Sequence, residues 1–89
     1  MTTSQEAPRA REGILDLVRD HLSAELEVDR GRIDDGSRFR EDLDADSLDL
    51  YELVMELQDT YAIKVSEEEA VEIRTVGDAV DFVVAKLPS

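Results

Sequence analysis

The residues best suited to chemistry lie together in one acidic segment, where Asp42, Asp44 and Asp46 lead into Ser47. A helical pattern begins directly after this segment, which places the Ser47 hydroxyl at the N-terminus of a predicted helix. Free backbone N–H groups and the positive end of the helix dipole favour an anion such as phosphate at that position. Ser47 is therefore a candidate modification site. Taken alone, local preferences favour a simpler interpretation, in which Ser47 or Asp46 only caps the helix.

A calcium-binding loop is a second interpretation of the same aspartates. Asp42, Asp44 and Asp46 match positions one, three and five of the EF-hand pattern. Position six is Ser47 instead of glycine, and position twelve is Leu53 instead of the bidentate glutamate. Because both determinants are missing, the pattern predicts no dedicated metal site and leaves only weak divalent binding open.

A hydrolase with Ser47 as its nucleophile is the third interpretation. Such an enzyme needs a base beside the serine and an oxyanion site in a pocket. The chain has no G-x-S-x-G turn, and His21 is its single histidine. His21 lies one position off an apolar stripe, so we expect an ordinary surface histidine there. The sequence therefore predicts that the protein is not an enzyme.

Composition limits the class of protein. The 89 residues suit one small domain with a slim core, and the absence of cysteine excludes disulfides and thiolate metal sites. No apolar run approaches the ~20 residues that cross a membrane, and the N-terminus lacks a signal-peptide pattern. We therefore expect a soluble cytoplasmic protein with no membrane insertion.

The negative charge is concentrated in one part of the chain. The formal net charge is -13, and residues 41–72 hold twelve acidic side chains against the single base Lys64. This field repels nucleic acid and anionic membranes and attracts basic protein surfaces. The alternative is a solvated acidic face that only keeps the protein soluble.

Apolar periodicity and helix-start signals predict an all-α fold, a four-helix bundle with a long first loop and a short third helix. We expect residues 1–7 to be flexible and residues 8–87 to form a single domain. The last helix should start at the Thr75 to Asp78 signal and end before Pro88. The first three helices are expected at Pro8 to Leu26, Ser47 to Tyr61, and Glu67 to Ile73.

Two connections complete this plan. The connection over residues 27–46 is longer than a structureless loop in a compact domain usually is, so we expect an ordered loop held by apolar contacts. Residues 61–65 are expected to be an extended connector. The apolar residues that should hold the first loop against the core are Val28, Ile33, Phe39 and Leu43.

The predicted second helix carries apolar residues on two faces. One stripe, at core spacing, contains Leu50, Leu53, Val54, Leu57 and Tyr61. A second strip lies nearly opposite and is formed by Leu48, Tyr51 and Met55, with Glu52 and Asp59 beside it. An outward apolar strip with an acidic rim is typical of a recognition surface. The alternative is that the long loop folds over this strip and buries it.

Three segments carry a resemblance to a known family. Leu43-Asp44-Ala45-Asp46-Ser47-Leu48-Asp49 resembles the L-G-A-D-S-L-D signature of acyl carrier proteins, with Asp44 in place of the usual glycine. Glu52-Leu53-Val54-Met55 is similar to the family's E-L-V-M. Ile73-Arg74-Thr75-Val76-Gly77-Asp78 resembles its I-x-T-V-x-D entry to the last helix. The resemblance covers most of the chain from Val28 to Leu87.

This resemblance implies that Ser47 carries a 4'-phosphopantetheine arm, transferred from coenzyme A by a holo-synthase, a phosphopantetheinyl transferase that uses magnesium. Asp46 matches the family aspartate that helps to hold this magnesium. The arm's thiol would bear acyl chains as thioesters, and the protein would deliver them to the enzymes of fatty-acid or related lipid biosynthesis.

The resemblance also implies two surfaces on a carrier that we expect to be monomeric. Partner enzymes with basic patches would dock on the second helix through Leu48, Tyr51, Glu52, Met55, Glu56 and Asp59. The core would shelter the acyl chain, lined by Phe39, Leu50, Val54, Leu57, Ile63 and Val80.

Other functions remain open at this point. Tyr51 stands where the family usually has a smaller aliphatic residue, so we expect partner preferences that differ from those of a housekeeping fatty-acid carrier. A polyketide carrier or a peptidyl carrier is the near alternative, and the concentrated acidity argues against the peptidyl type. An unmodified acidic adaptor that binds basic helices would share every bulk property.

Overall fold

The protein is described by a computed structural model, in which residues 10–87 form four α-helices around one core. The helices are α1 (Arg11–Leu26), α2 (Ser47–Tyr61), α3 (Glu67–Val71) and α4 (Val76–Lys86), and a short 3₁₀ helix spans Arg30–Arg32. Within this part of the chain the only β-type pairing is an isolated bridge between Arg38 and Thr75. The predicted all-α fold, with a long first loop and a short third helix, is confirmed.

Three of the helices begin with reciprocal capping boxes, in which the capping side chain and the side chain three residues later bond each other's backbone N–H. The pairs are Asp46 with Asp49, Ser66 with Glu69, and Thr75 with Asp78. These boxes fix the start of each helix. The capping signals that the sequence predicted for α3 and α4 are confirmed. Among residues 10–87 no helix is long and apolar enough to cross a membrane.

Helix α1 has no such box, and its predicted start at Pro8 is wrong. Ala10 has an extended backbone with no side-chain cap, so the helix begins at Arg11. The periodic pattern could not locate this start because the apolar stripe begins only at Ile14. Pro8, the expected flexible segment 1–7 and Pro88 lie outside the described residues.

The predicted end of α3 is slightly too late, whereas that of α4 agrees with the structure. Helix α3 ends at Val71 instead of Ile73, since the N–H of Glu72 bonds the carbonyls of Glu69 and Ala70 and the Ile73 side chain is buried in the core. Helix α4 ends at Lys86 with Leu87 as its C-cap, before Pro88 as predicted.

Helix α1 packs against both α2 and α4, and this contact contains most of the core. Four of the six valine and alanine residues of α4 are almost fully buried, which explains how a valine-rich sequence of low helix propensity is held helical. Each large apolar side chain buried this way contributes roughly 1.5–3 kcal/mol of transfer free energy. The buried helix residues are Ile14, Val18, Leu22, Leu53, Leu57, Tyr61, Val76, Ala79, Val80 and Val83.

The first loop is ordered, as predicted, and its apolar residues reach the core. Ile33, Phe39 and Leu43 are buried, and Val28 is partly buried against them. Backbone bonds join this loop to the start of α4: Phe39 N–H donates to Arg74 O at 3.0 Å, and Val76 N–H donates to Ser37 O at 2.9 Å. The loop that precedes α2 is therefore fixed by α4.

His21 corrects another expectation. It is half-buried instead of exposed, and its Nε2 atom is buried without a hydrogen-bond partner in the part of the chain that the structure describes. A residue next to Leu22 is only about 100° away around the helix, so it lies at the edge of the buried face. This imidazole lies beside Asp20 of α1 and Glu56 of α2 in a shallow groove.

Gly77 is the glycine whose replacement should cost most. Its N–H donates to Asp35 O at 2.8 Å, and a Cβ added to it would lie 2.9 Å from that same backbone oxygen. We expect Gly77→Ala to lower the free energy of unfolding by about 1–2 kcal/mol, because the clash outweighs the better helix propensity of alanine. Urea denaturation followed by circular dichroism measures this loss.

The matched control is Gly36→Ala, in the first loop next to Asp35. A Cβ there would be 3.7 Å from its nearest neighbour, an ordinary contact. A Gly77→Ala protein as stable as the Gly36→Ala protein would contradict the importance of this close approach.

Candidate functional site

Ser47 and Asp46 have different tasks at the start of α2. The Asp46 side chain accepts the Asp49 N–H at 3.0 Å, and the Asp49 carboxylate accepts the Asp46 N–H at 3.0 Å. Asp46 is thus the N-cap, and Ser47 is the first residue of the helix with an exposed side chain. The interpretation in which Ser47 is the cap is wrong, and its hydroxyl is left available for other chemistry.

These capping bonds also set the charge of Asp46. The backbone N–H of Asp49 is the main cause that lowers the pKa of the Asp46 carboxyl below its usual value. Asp46 is therefore ionised at neutral pH, directly beside the Ser47 hydroxyl.

Arg40 contacts the serine, and sequence reasoning missed it. Its Nη2 donates to Ser47 Oγ at 3.0 Å. Neighbouring Arg38 instead donates to Asp42 through Nε and Nη2, both at 3.1 Å. This pair lowers the pKa of Asp42. The signal that could have identified Arg40 is its place as the last base before the acidic run 41–72.

The aspartates of the acidic segment do not converge. Asp42 binds Arg38, Asp46 caps α2, and Asp44 has a left-handed backbone with φ 57°. A left-handed residue is the reason that glycine is usual at this position, since glycine adopts it without steric cost. Residues 10–87 contain no group of three or more acidic, histidine or cysteine side chains placed to hold a metal ion.

The outward strip of α2 is open to solvent. Leu48 and Tyr51 are each 61% exposed and Met55 is 46% exposed. The alternative in which the first loop covers this strip is therefore wrong. Exposed carboxylates surround it, so the expected arrangement of an apolar strip with an acidic rim is present. These rim residues are Glu52, Glu56 and Asp59.

Negative charges lie close together where the end of α1 meets α2. The Glu52 carboxylate shares a hydrogen bond with Glu25 and is the main cause that raises the Glu25 pKa to about 7; desolvation and Asp49 add to the shift. A carboxyl that holds a proton near neutral pH shows how unfavourable a further negative charge is on this face.

A cleft of about 900 Å³ opens between α2 and α3, and Ser47 and Arg40 are among its lining residues. Four of the six residues predicted to shelter an acyl chain line it, namely Phe39, Leu50, Val54 and Leu57. Ile63 and Val80 are buried but do not line the cleft. Ala79 lines the cleft, and Val80 lies about 100° away from it around α4.

The far wall of the cleft comes from α3 and its flanks, which the sequence did not assign to this role. Val71 is 72% exposed there. The sequence signal that was overlooked is the set of apolar residues within and on both sides of α3. The apolar residues of this wall are Val65, Ala70, Val71 and Ile73.

Comparison with known proteins agrees with this geometry. The family described as phosphopantetheine attachment site matches residues 16–83. The acyl carrier protein of Rubrobacter xylanophilus is 46% identical over 74 residues, which cover 83% of this chain and 91% of that protein. The solved acyl carrier protein from Enterococcus faecalis has a TM-score of 0.74 at 36% identity, covering 85% of this chain and 96% of that one. This chain therefore belongs to the acyl carrier protein family: it is a carrier and not an enzyme, and its prosthetic group is 4'-phosphopantetheine.

Proposed function

We propose that Ser47 is the attachment point of the phosphopantetheine arm, and that residues 8–87 form one carrier domain that delivers acyl chains to fatty-acid biosynthesis. The observation that carries this proposal is the exposed Ser47 hydroxyl, freed from capping by Asp46 at the first position of α2. Once bound, the arm supplies a thiol that holds acyl groups as thioesters.

Attachment requires one phosphoryl transfer. Ser47 Oγ forms a bond to the phosphorus that bears pantetheine in coenzyme A, and the bond from that phosphorus to the bridging pyrophosphate oxygen breaks. Adenosine 3',5'-bisphosphate leaves with the electron pair, and the hydroxyl proton passes to a base of the transferase or to water. Ionised Asp46 would help to hold the magnesium that this transferase uses.

The first turn of α2 fits the resulting phosphodiester. Its backbone N–H groups and the positive end of the helix dipole favour a negative charge at the position of Ser47. The cleft beside Ser47 gives the attached acyl chain an apolar surface to contact.

Ser47→Ala tests the attachment point. We expect the unmodified protein to gain the mass of one phosphopantetheine group on incubation with coenzyme A, magnesium and a broad-specificity phosphopantetheinyl transferase. The Ser47→Ala protein should gain nothing, because no other residue would supply the hydroxyl. Intact-mass spectrometry measures both.

Ser66→Ala is the matched control, since Ser66 is also an exposed serine at the start of a helix. It should be loaded like the original protein. Loading of Ser47→Ala, or no loading of folded unmodified protein, would contradict the proposal.

We further propose that the cleft between α2 and α3 receives the acyl chain. Leu50 and Val54 are half-buried on the cleft side of α2, and aliphatic side chains such as these can part around a flexible chain. The cleft volume lies in the range of ordinary small-molecule sites, roughly 300–1,000 Å³.

Methyl NMR with short and medium acyl chains tests this role. We expect the Leu50 and Val54 methyl resonances to differ between the two loaded forms, because a longer chain reaches further between the helices. Ile63 and Val80 are buried outside the cleft and serve as internal controls, so their resonances should stay in place. Identical Leu50 and Val54 spectra for both chains would exclude the cleft.

The outward strip of α2 is the proposed docking surface. Leu48, Tyr51 and Met55 supply apolar contact area, and the carboxylates of Glu52, Glu56 and Asp59 would attract a basic partner. Tyr51 offers a larger contact than an aliphatic residue at the same position, and this distinguishes the surface among carriers.

Met55→Ser tests docking with a fatty-acid ketoacyl synthase and the acyl-loaded protein. We expect the KM of the synthase for the Met55→Ser carrier to rise about tenfold while kcat changes little. A tenfold rise corresponds to the loss of one apolar contact of ~1.4 kcal/mol. Val84→Ser is the control, since Val84 is 42% exposed on α4 against 46% for Met55.

Equal KM values for the two variants would contradict the docking surface. If a polyketide synthase extended the loaded protein and the fatty-acid enzyme did not, the fatty-acid assignment would be wrong while the carrier role would stand.

A further inference from the structure

We propose that Arg40 is a phosphate-binding residue, which pairs with the phosphodiester of the arm and holds the root of the arm at the mouth of the cleft. This inference rests on attachment at Ser47, and it concerns a residue outside the sequence motifs that identify the family.

The distance between the two side chains carries the inference. Arg40 Nη2 lies 3.0 Å from Ser47 Oγ, which would become the bridging ester oxygen after loading. The phosphorus would be bonded to Ser47 Oγ, and its two non-bridging oxygens would therefore lie within reach of the Arg40 guanidinium. Arginine has five N–H donors in a planar fork that matches phosphate oxygens. Within residues 10–87, the contact with Ser47 is the only hydrogen bond of Arg40.

The loop backbone holds Arg40 in this position. Phe39, next to it, is 1% exposed, and Ala45 N–H donates to Phe39 O at 2.8 Å. Leu43 N–H donates to Arg38 O at 3.1 Å and closes the same turn. Arg40 therefore extends from a rigid base towards the serine, so little side-chain order has to be created when the phosphate arrives.

The surrounding charges explain why a cation is needed there. A phosphodiester at Ser47 adds a negative charge beside the capping box of Asp46 and Asp49, in which the pKa of the Asp46 carboxyl is held below its usual value. Arg40 forms no ion pair within 4 Å in the described part of the chain, unlike Arg38, which is occupied by Asp42. Its charge is thus available to offset the new repulsion.

Arg40 and Ser47 also line the same cleft. A phosphate held between the guanidinium and the first turn of α2 would direct the arm from its root along this opening. A partner enzyme with its own phosphate-binding cation would compete with Arg40 and so release the arm. Arg40 would act as a positioning residue for the arm, with no part in the chemistry of the thioester.

Phosphorus NMR of the loaded protein tests the inference. The variants are Arg40→Gln, Arg40→Lys and the charge-matched control Arg32→Gln, since Arg32 is an exposed arginine of the 3₁₀ helix. Each is first loaded to completion, as judged by intact mass, and its fold is checked by circular dichroism. Failure of every protein to load would overturn the attachment proposal, and with it this inference, before any NMR measurement.

We expect Arg40→Gln to shift the phosphorus resonance away from that of the original protein, and Arg40→Lys to shift it less, because lysine keeps the charge without the fork. Arg32→Gln should leave it unchanged. High salt should move the original resonance towards that of Arg40→Gln, since exposed ion pairs are screened. The Arg40 Nε–Hε resonance should also move when the protein is loaded. Loaded Arg40→Gln with the same phosphorus shift as the Arg32→Gln control would overturn the inference and leave attachment at Ser47 intact.

Discussion

The capping box between Asp46 and Asp49 is the interaction on which the site depends. Helix N-termini leave backbone N–H groups without partners, and a serine beside one readily becomes the cap. Here Asp46 takes that position and Asp49 returns the bond, so α2 can start without using the Ser47 hydroxyl. The same exchange keeps Asp46 ionised beside that hydroxyl. A single structural bond pair therefore sets both the availability of the serine and the charge next to it.

The first loop and α4 support this arrangement from behind. Buried Phe39 and Leu43 hold the loop on the core, and backbone bonds from Phe39 and Val76 join it to the start of α4. The residues that hold α2 in place are therefore different from the residues on its exposed side. Residues of the loop and α4 hold the start of α2 in place on the core, while the exposed side of α2 can change without disturbing that packing.

Sequence reasoning reached the features that depend on local patterns. The bounds of α2 agreed with the structure at both ends, since the acidic segment and the apolar stripe define them, and the outward strip followed from helical geometry alone. Sequence reasoning was wrong or silent about the features that depend on tertiary contacts. No local signal separated Ile63 and Val80, which are buried elsewhere, from the residues that line the cleft. The contact of Arg40 with Ser47 depends on how the turn around Phe39 folds, which sequence spacing does not show.

The two walls of the cleft differ in how firmly they are built. Helix α2 has three buried residues and is packed on α1, whereas the five-residue α3 has none and stands between two irregular connections. Segments with few buried contacts open at low free energy compared with the core. The cleft can therefore widen by a hinge movement of α3 while α1, α2 and α4 keep their packing. If the cleft receives the acyl chain as proposed, the length of that chain would set the position of one small surface helix.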